Sequence, residues 1–180
     1  MNTATNPNTA TDTNVTATAN ESIATNASSD RPYATTVWFL NGPNANLYGL
    51  DANKTYGSDS FPTLRERCEK KAAALELNLN FVQSNWEGQL VDWIQQARGD
   101  AQGVIINAAG LTYSSIPILD ALLSFPGRIV EVHMSNIWRR ESFRHHSYIS
   151  KAADGVIAGL GADGYELAIE AMARLIRRPT

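Results

Sequence analysis

The sequence predicts an α/β domain built as a doubly wound parallel sheet, and three observations carry that expectation. From Thr36 onward, five short apolar runs alternate with amphipathic stretches. Three of the five runs are continuously apolar rather than alternating, as strands covered on both faces should be. The stretches between them show helical spacing with start and stop signals, so strands and helices take turns along the chain.

The elements follow in order. VWFL (37–40) is the first strand. A long connection leads to PTLRERCEKKAAALEL, a helix opened by Ser60 and Pro62, with Leu64, Cys68, Ala72 and Leu75 on one face. LNFVQ (79–83) is the second strand. The helix EGQLVDWIQQARG follows, with Leu90, Ile94 and Ala97 in register and Gly99 as its expected stop. GVIIN (103–107) is the third strand, and in SSIPILDALLSF either Ser114 or Ser115 caps a helix whose first turn holds Pro117. IVEVH (129–133) is the fourth strand, and a short helix is expected within RRESFRHHSY. GVIAG (155–159) is the fifth. GLGADG then makes a tight turn into ADGYELAIEAMARLIRR, which turns Tyr165, Ala168, Ile169, Met172, Leu175 and Ile176 inward.

Composition bounds what the domain does. The 180 residues carry a net charge of −3 and are 43% hydrophobic and 18% charged, values normal for a soluble globular protein. The pI of about 5.6 gives no electrostatic footprint for nucleic acid. No apolar run approaches the ~20 residues of a membrane helix. The single cysteine, Cys68, lies on a helix face and reads as core filler. Residues 1–35 are dominated by Thr, Asn and Ala, bury almost nothing, and are expected to be a disordered tail ahead of a 36–180 domain. The tail has neither a basic start nor an apolar segment, so it is not a secretory signal, and the cytoplasm is the expected location.

Doubly wound sheets take ligands outside the carboxyl ends of their strands. Polar residues just past each strand are therefore the site candidates. These are Asn41 and Asn44 after the first, Ser84 and Asn85 after the second, and Asn107 after the third. After the fourth stand His133, Ser135 and Asn136, with Glu131 just inside. Strand side chains alternate faces, so Glu131, His133 and Ser135 share one side. A carboxylate inside a covered strand is costly unless paired. The economical arrangement has Glu131 orienting His133 for acid–base work. Arg140 and Arg144, four apart, suit a single anion. His145 and His146 are adjacent and diverge on a helix, and no metal-ligand spacing or nucleotide-binding glycine motif occurs, so neither metal nor cofactor is expected. The first connection, 41–58, far exceeds the roughly 2–6 residues usual between strand and helix. Its length and its Tyr56-Gly57 pair suit an active-site lid.

Six segments, FLNGPNANLYG, the Tyr56-Gly57 pair, QSNWEGQLVDWI, INAAGLTYSS, EVHMSN and RRESFRHHSY, stand in an order that resembles the type II 3-dehydroquinate dehydratases over residues 36–176. The resemblance implies a flavodoxin-like five-stranded parallel sheet and a homo-oligomer, a dodecamer assembled as a tetramer of trimers. It implies a cofactor-free lyase converting 3-dehydroquinate to 3-dehydroshikimate by anti elimination through an enolate, in aromatic amino acid biosynthesis or quinate catabolism. By the same resemblance Tyr56 matches the base, His133 the general acid, Glu131 its carboxylate partner and Asn44 the residue holding a water at the enolate oxygen. Asn107, Ser135, Asn136, the backbone near Ile137, and Arg144 match or adjoin substrate contacts. Arg140 stands near the lid, and Asp120 matches an aspartate reaching a neighbouring subunit's site.

Two positions depart from the family pattern. Asp51 stands where the lid carries an arginine, and Tyr113 replaces a substrate-contacting histidine. Bringing a tyrosine from a pKa of about 10 to about 7 takes roughly 4 kcal/mol, and a neighbouring cation lowers a pKa by about 1–3. Asp51 pushes the other way, which leaves Lys54 and Arg140 as the nearest cationic substitutes. The alternative expectation is a diverged paralogue that acts on, or only binds, a related cyclic hydroxy acid.

Overall fold

The computed structural model describes Met1 and residues 35–50 and 58–178. Nearly all of the Thr/Asn/Ala-rich tail lies outside the described residues, as do Asp51, Lys54, Tyr56 and Gly57 of the first connection. Among the described residues, β1 (Thr36–Asn41), β2 (Asn78–Gln83), β3 (Gly103–Asn107), β4 (Arg128–His133) and β5 (Gly155–Ala158) form one sheet. The order is β2-β1-β3-β4-β5, and every pairing is parallel. The strand order reverses at β1, with β2 on one side and β3 on the other, so the carboxyl ends of β1 and β3 flank the crevice such sheets use for ligands.

Helices cover both faces. α1 (Phe61–Ala74) and α4 (Gly161–Arg177) pack on the face presenting Val37, Phe39, Ile105, Val130 and Val132. α2 (Glu87–Asp100) and α3 (Ile116–Leu123) pack on the face presenting Trp38, Leu40, Val104, Ile106 and Ile129. Central β1 and β3 are buried at every residue, while edge strands β2 and β5 are only partly covered, which is why the central strands read as unbroken apolar runs. Cys68 sits in the first core, and burial pushes its thiol up to about 12. No helix among the described residues is long and apolar enough to cross a membrane.

The caps refine the sequence reading. Ser60 Oγ accepts the Thr63 N–H at 3.2 Å. Ser115, not Ser114, caps α3, accepting the Ile118 N–H at 3.0 Å. Gly99 does not stop α2. The helix runs on to Asp100, whose carboxylate accepts the Trp38 indole N–H at 3.0 Å, and the backbone turns extended only at Ala101. The helix expected in RRESFRHHSY is instead a series of 3₁₀ turns at Ile137–Arg139, Ser142–His145 and Ile149–Lys151. Extended backbone at Arg140, Glu141 and His146 separates them, because serine, asparagine and carboxylate side chains bond locally and compete with helix propagation. Gly159, at φ 91°, makes the turn toward α4 so close to Asn136 that an added Cβ would lie 2.9 Å from the Asn136 Cβ.

Candidate active site

Three loops meet beyond the carboxyl ends of β1, β3 and β4 and enclose a cavity of about 180 Å³. The first contributes Pro43, Asn44 and Tyr48, the second Asn107, Ala109, Gly110 and Tyr113. The third contributes His133, Met134, Ser135, Arg140 and Arg144. Gly42 lets the first two loops close together: a Cβ there would lie 2.5 Å from the Ala108 carbonyl oxygen. The next turn places Asn44 in the left-handed region at φ 69°, which asparagine tolerates, and its N–H donates to Asn85 Oδ1 at 2.9 Å. Asn85 thus braces the site from behind. Ser84 serves the entry to α2, accepting the Trp86 N–H at 3.0 Å.

β4 presents Glu131 and His133 to the same side, as strand alternation requires. His133 Nε2 lies 2.8 Å from Glu131 Oε1, with the carboxylate fully buried and the imidazole 4% exposed. An ionised carboxylate only accepts, so Nε2 carries the hydrogen and Nδ1 is left to serve a ligand. Ser147 and Ser150 also donate to this carboxylate. Burial pushes the Glu131 carboxyl up, but the hydrogen bond and charge of His133 and the two serine hydroxyls outweigh it and hold it below its ordinary 4.5.

The cationic side of the cavity is Arg140 and Arg144. Both lean on Glu141, whose Oε2 lies 3.5 Å from Arg140 Nε and 2.9 Å from Arg144 Nε. Arg140 also reaches Ser135 Oγ at 3.4 Å. The two arginines therefore converge although the segment is not one helix. Tyr113 lies between the cations and the acid. Its ring is nearly parallel to the His133 imidazole, 13° and 6.3 Å between centroids, and the Arg144 guanidinium carbon is 5.5 Å from its ring centre. Burial raises the Tyr113 phenol, and the nearby Arg144 and Arg140 charges do not reverse the shift, so it stays protonated at neutral pH.

Asn107 lines the cavity, but its side chain is committed to protein. Its two amide hydrogens go to Tyr48 Oη at 3.0 Å and Tyr165 Oη at 2.7 Å, and its oxygen takes the Ala109 N–H at 3.1 Å. Tyr165 in turn donates to Asn41 Oδ1 at 3.0 Å. This buried floor joins β1, β3 and α4. Asn136 caps its own turn, accepting the Trp138 N–H at 3.1 Å, and neither it nor buried Ile137 is among the described lining residues. Asp120 is exposed on α3 and is likewise not among them. Sequence reasoning missed Tyr48, Ser147 and Ser150. Tyr48 has no strand register to locate it, and the serines lie well past the end of β4.

Comparison with known proteins assigns the family. A model of the family "Dehydroquinase class II" matches residues 35–173. The 3-dehydroquinate dehydratase of Bartonella henselae is 48% identical over 142 residues, covering 79% of this chain and 96% of that protein. That of Streptomyces avermitilis is 51% identical over 140 residues, covering 77% and 88%. The crystal structure of the type II dehydroquinase from Propionibacterium acnes superimposes with a TM-score of 0.75 at 38% identity, covering 79% of this chain and 98% of that one. With a family model over residues 35–173 and relatives about half identical that are covered to 88% or more of their own length, the chain belongs to the class II dehydroquinases.

Proposed function

We propose that this protein dehydrates 3-dehydroquinate to 3-dehydroshikimate. The carrying observation is the buried Glu131–His133 pair opening on a cavity that also holds Arg140 and Arg144. The arginines neutralise the substrate carboxylate and fix the ring. Tyr56, assigned by sequence match alone, takes a proton from the carbon beside the ketone. The electron pair moves onto the ketone oxygen as an enolate, where Asn44 helps to hold a stabilising water. Collapse of the enolate expels the tertiary hydroxyl, which takes a proton from His133 and leaves as water. Glu131 keeps the imidazole oriented and stabilises its charged form. Ser135 and the backbone near Ile137 serve the substrate hydroxyls, and Asn107 supports the floor beneath them. Asp120 is exposed and is not among the described lining residues of its own cavity, which suits a homo-oligomer, a dodecamer built of trimers, in which it serves a neighbour.

The test is incubation of purified protein with 3-dehydroquinate while following the ultraviolet absorbance of the conjugated enone. A rise that Tyr56→Phe abolishes supports the reading. Tyr113 favours one second reading: its phenol occupies space between His133 and Arg144, which suits a shifted specificity toward a related cyclic hydroxy acid. Turnover of such an acid without turnover of 3-dehydroquinate selects that reading.

A further inference from the structure

Glu131 accepts three side-chain hydrogen bonds, and only one comes from His133. Ser147 Oγ lies 2.7 Å from Glu131 Oε1, the oxygen that also receives His133 Nε2, and Ser150 Oγ donates to Oε2. Ser147 has little freedom to do otherwise. Its oxygen accepts the Ser150 N–H at 3.0 Å, and its one proton is spent on the carboxylate. The turn that carries both serines is fixed at two further points. Ile149 is fully buried in the core beneath α2 and α3, and the Tyr148 N–H donates to the Thr112 carbonyl at 3.0 Å. Thr112 immediately precedes Tyr113. The same stretch of chain, 136–151, brings Arg140 and Arg144 to the cavity and then returns to grip the carboxylate.

We propose that Ser147, assisted by Ser150, is a positioning residue that sets how strongly Glu131 holds the His133 proton, and that it ties the arginine-bearing segment to the acid. This deepens the dehydratase reading and rests on His133 being its general acid. The physical basis is competition for one carboxylate. Each serine hydroxyl draws negative charge away from the imidazole. Without Ser147, Oε1 answers to His133 alone, and a buried carboxylate facing a neutral ring is left less stabilised. Both effects favour the protonated ring, so the pair releases its proton less readily. The ionisable groups that line the cavity beside the pair are Tyr48 from the loop after β1, Tyr113 from the loop after β3, and Arg140 and Arg144 from the segment after β4, both arginines paired with Glu141. None of these is removed by the substitutions proposed here. Ser150 is exposed, so water can replace its hydroxyl and its loss should matter less.

The experiment is a ¹⁵N NMR titration of His133 in the full-length, ligand-free protein, paired with a pH–rate profile. Ser147→Ala should raise the apparent pKa of the pair by about half a unit or more. It should also lower kcat about tenfold while KM stays within about twofold. Ser150→Ala should give the same signs with smaller size, and Ser147→Thr should restore both values. If Ser147→Ala does not fold, Ser147→Cys keeps the volume with a weaker donor and should move the titration in the same direction. A folded variant whose His133 titration and tautomer match the wild type overturns the proposal. The titration requires no turnover. A shifted titration in a protein inert toward 3-dehydroquinate would therefore sink the dehydratase reading and leave the positioning role standing.

Discussion

A carboxylate with no exposed surface survives in its charged form only if its neighbours repay the lost hydration. Glu131 meets that condition through His133, Ser147 and Ser150. Its folded-state pKa lies below the ordinary 4.5, so its charge adds stability that is present above that pH and is lost as pH falls through the folded value. Glu131→Gln should flatten the acid limb of a stability-versus-pH curve measured by urea unfolding between pH 3 and 6. The same variant should lower kcat by about 10²-fold, the usual scale for spoiling a general acid. Tyr113 is neutral at working pH because burial raises its phenol. Tyr113→Phe should therefore change KM and leave the pH–rate limbs in place, and a displaced limb would show that Tyr113 ionises during turnover. Cys68 offers a simple control. Its thiol, fully buried and pushed up to about 12, should react with a thiol reagent at pH 8 only after the protein unfolds.

The elements show which parts of a chain its own sequence reveals. All five strands lie where the apolar runs place them, α1 and α3 start at the predicted caps and prolines, and α4 starts at Gly161, one residue before the predicted segment. Periodicity suffices there because each element buries one face or two against a neighbour. It fails where local polar bonding decides. Gly99 reads as a stop, yet Asp100 extends α2 by reaching the Trp38 indole. The Arg139–Tyr148 stretch reads as a helix, yet Ser147 reaches Glu131 and Glu141 takes Arg144, and the chain breaks into 3₁₀ turns. The cap at Ser115 is open to direct measurement. Ser115→Ala should cost about 1 kcal/mol in chemical denaturation. Leu90→Ala, which empties a fully buried position between α2 and the sheet, should cost about 2–5 kcal/mol.

At the scale of the molecule, the sheet's strand order locates the site. Reversal at β1 opens a crevice at its carboxyl end, and residues at and after the ends of β1, β3 and β4 line the cavity there. His133, Glu131, Ser135, Asn44 and the arginines were legible from that rule, because each stands in the last residues of a strand, just past its end or in the segment that follows. The braces were not: Tyr48, Tyr165 and the two serines reach the site through tertiary packing that no local pattern encodes. The chain belongs to the class II dehydroquinases, and we propose His133 as the acid of its reaction, with Asp51 and Tyr113 as the chain's own departures from the family pattern. That acid is the centre of the account. The most direct measurement is the rate of enone formation from 3-dehydroquinate by wild-type protein and by His133→Ala at the same pH. The account predicts turnover by the wild type and a loss of about 10²-fold or more in kcat for the variant. Equal rates for the two proteins, or no enone from the wild type, would contradict it.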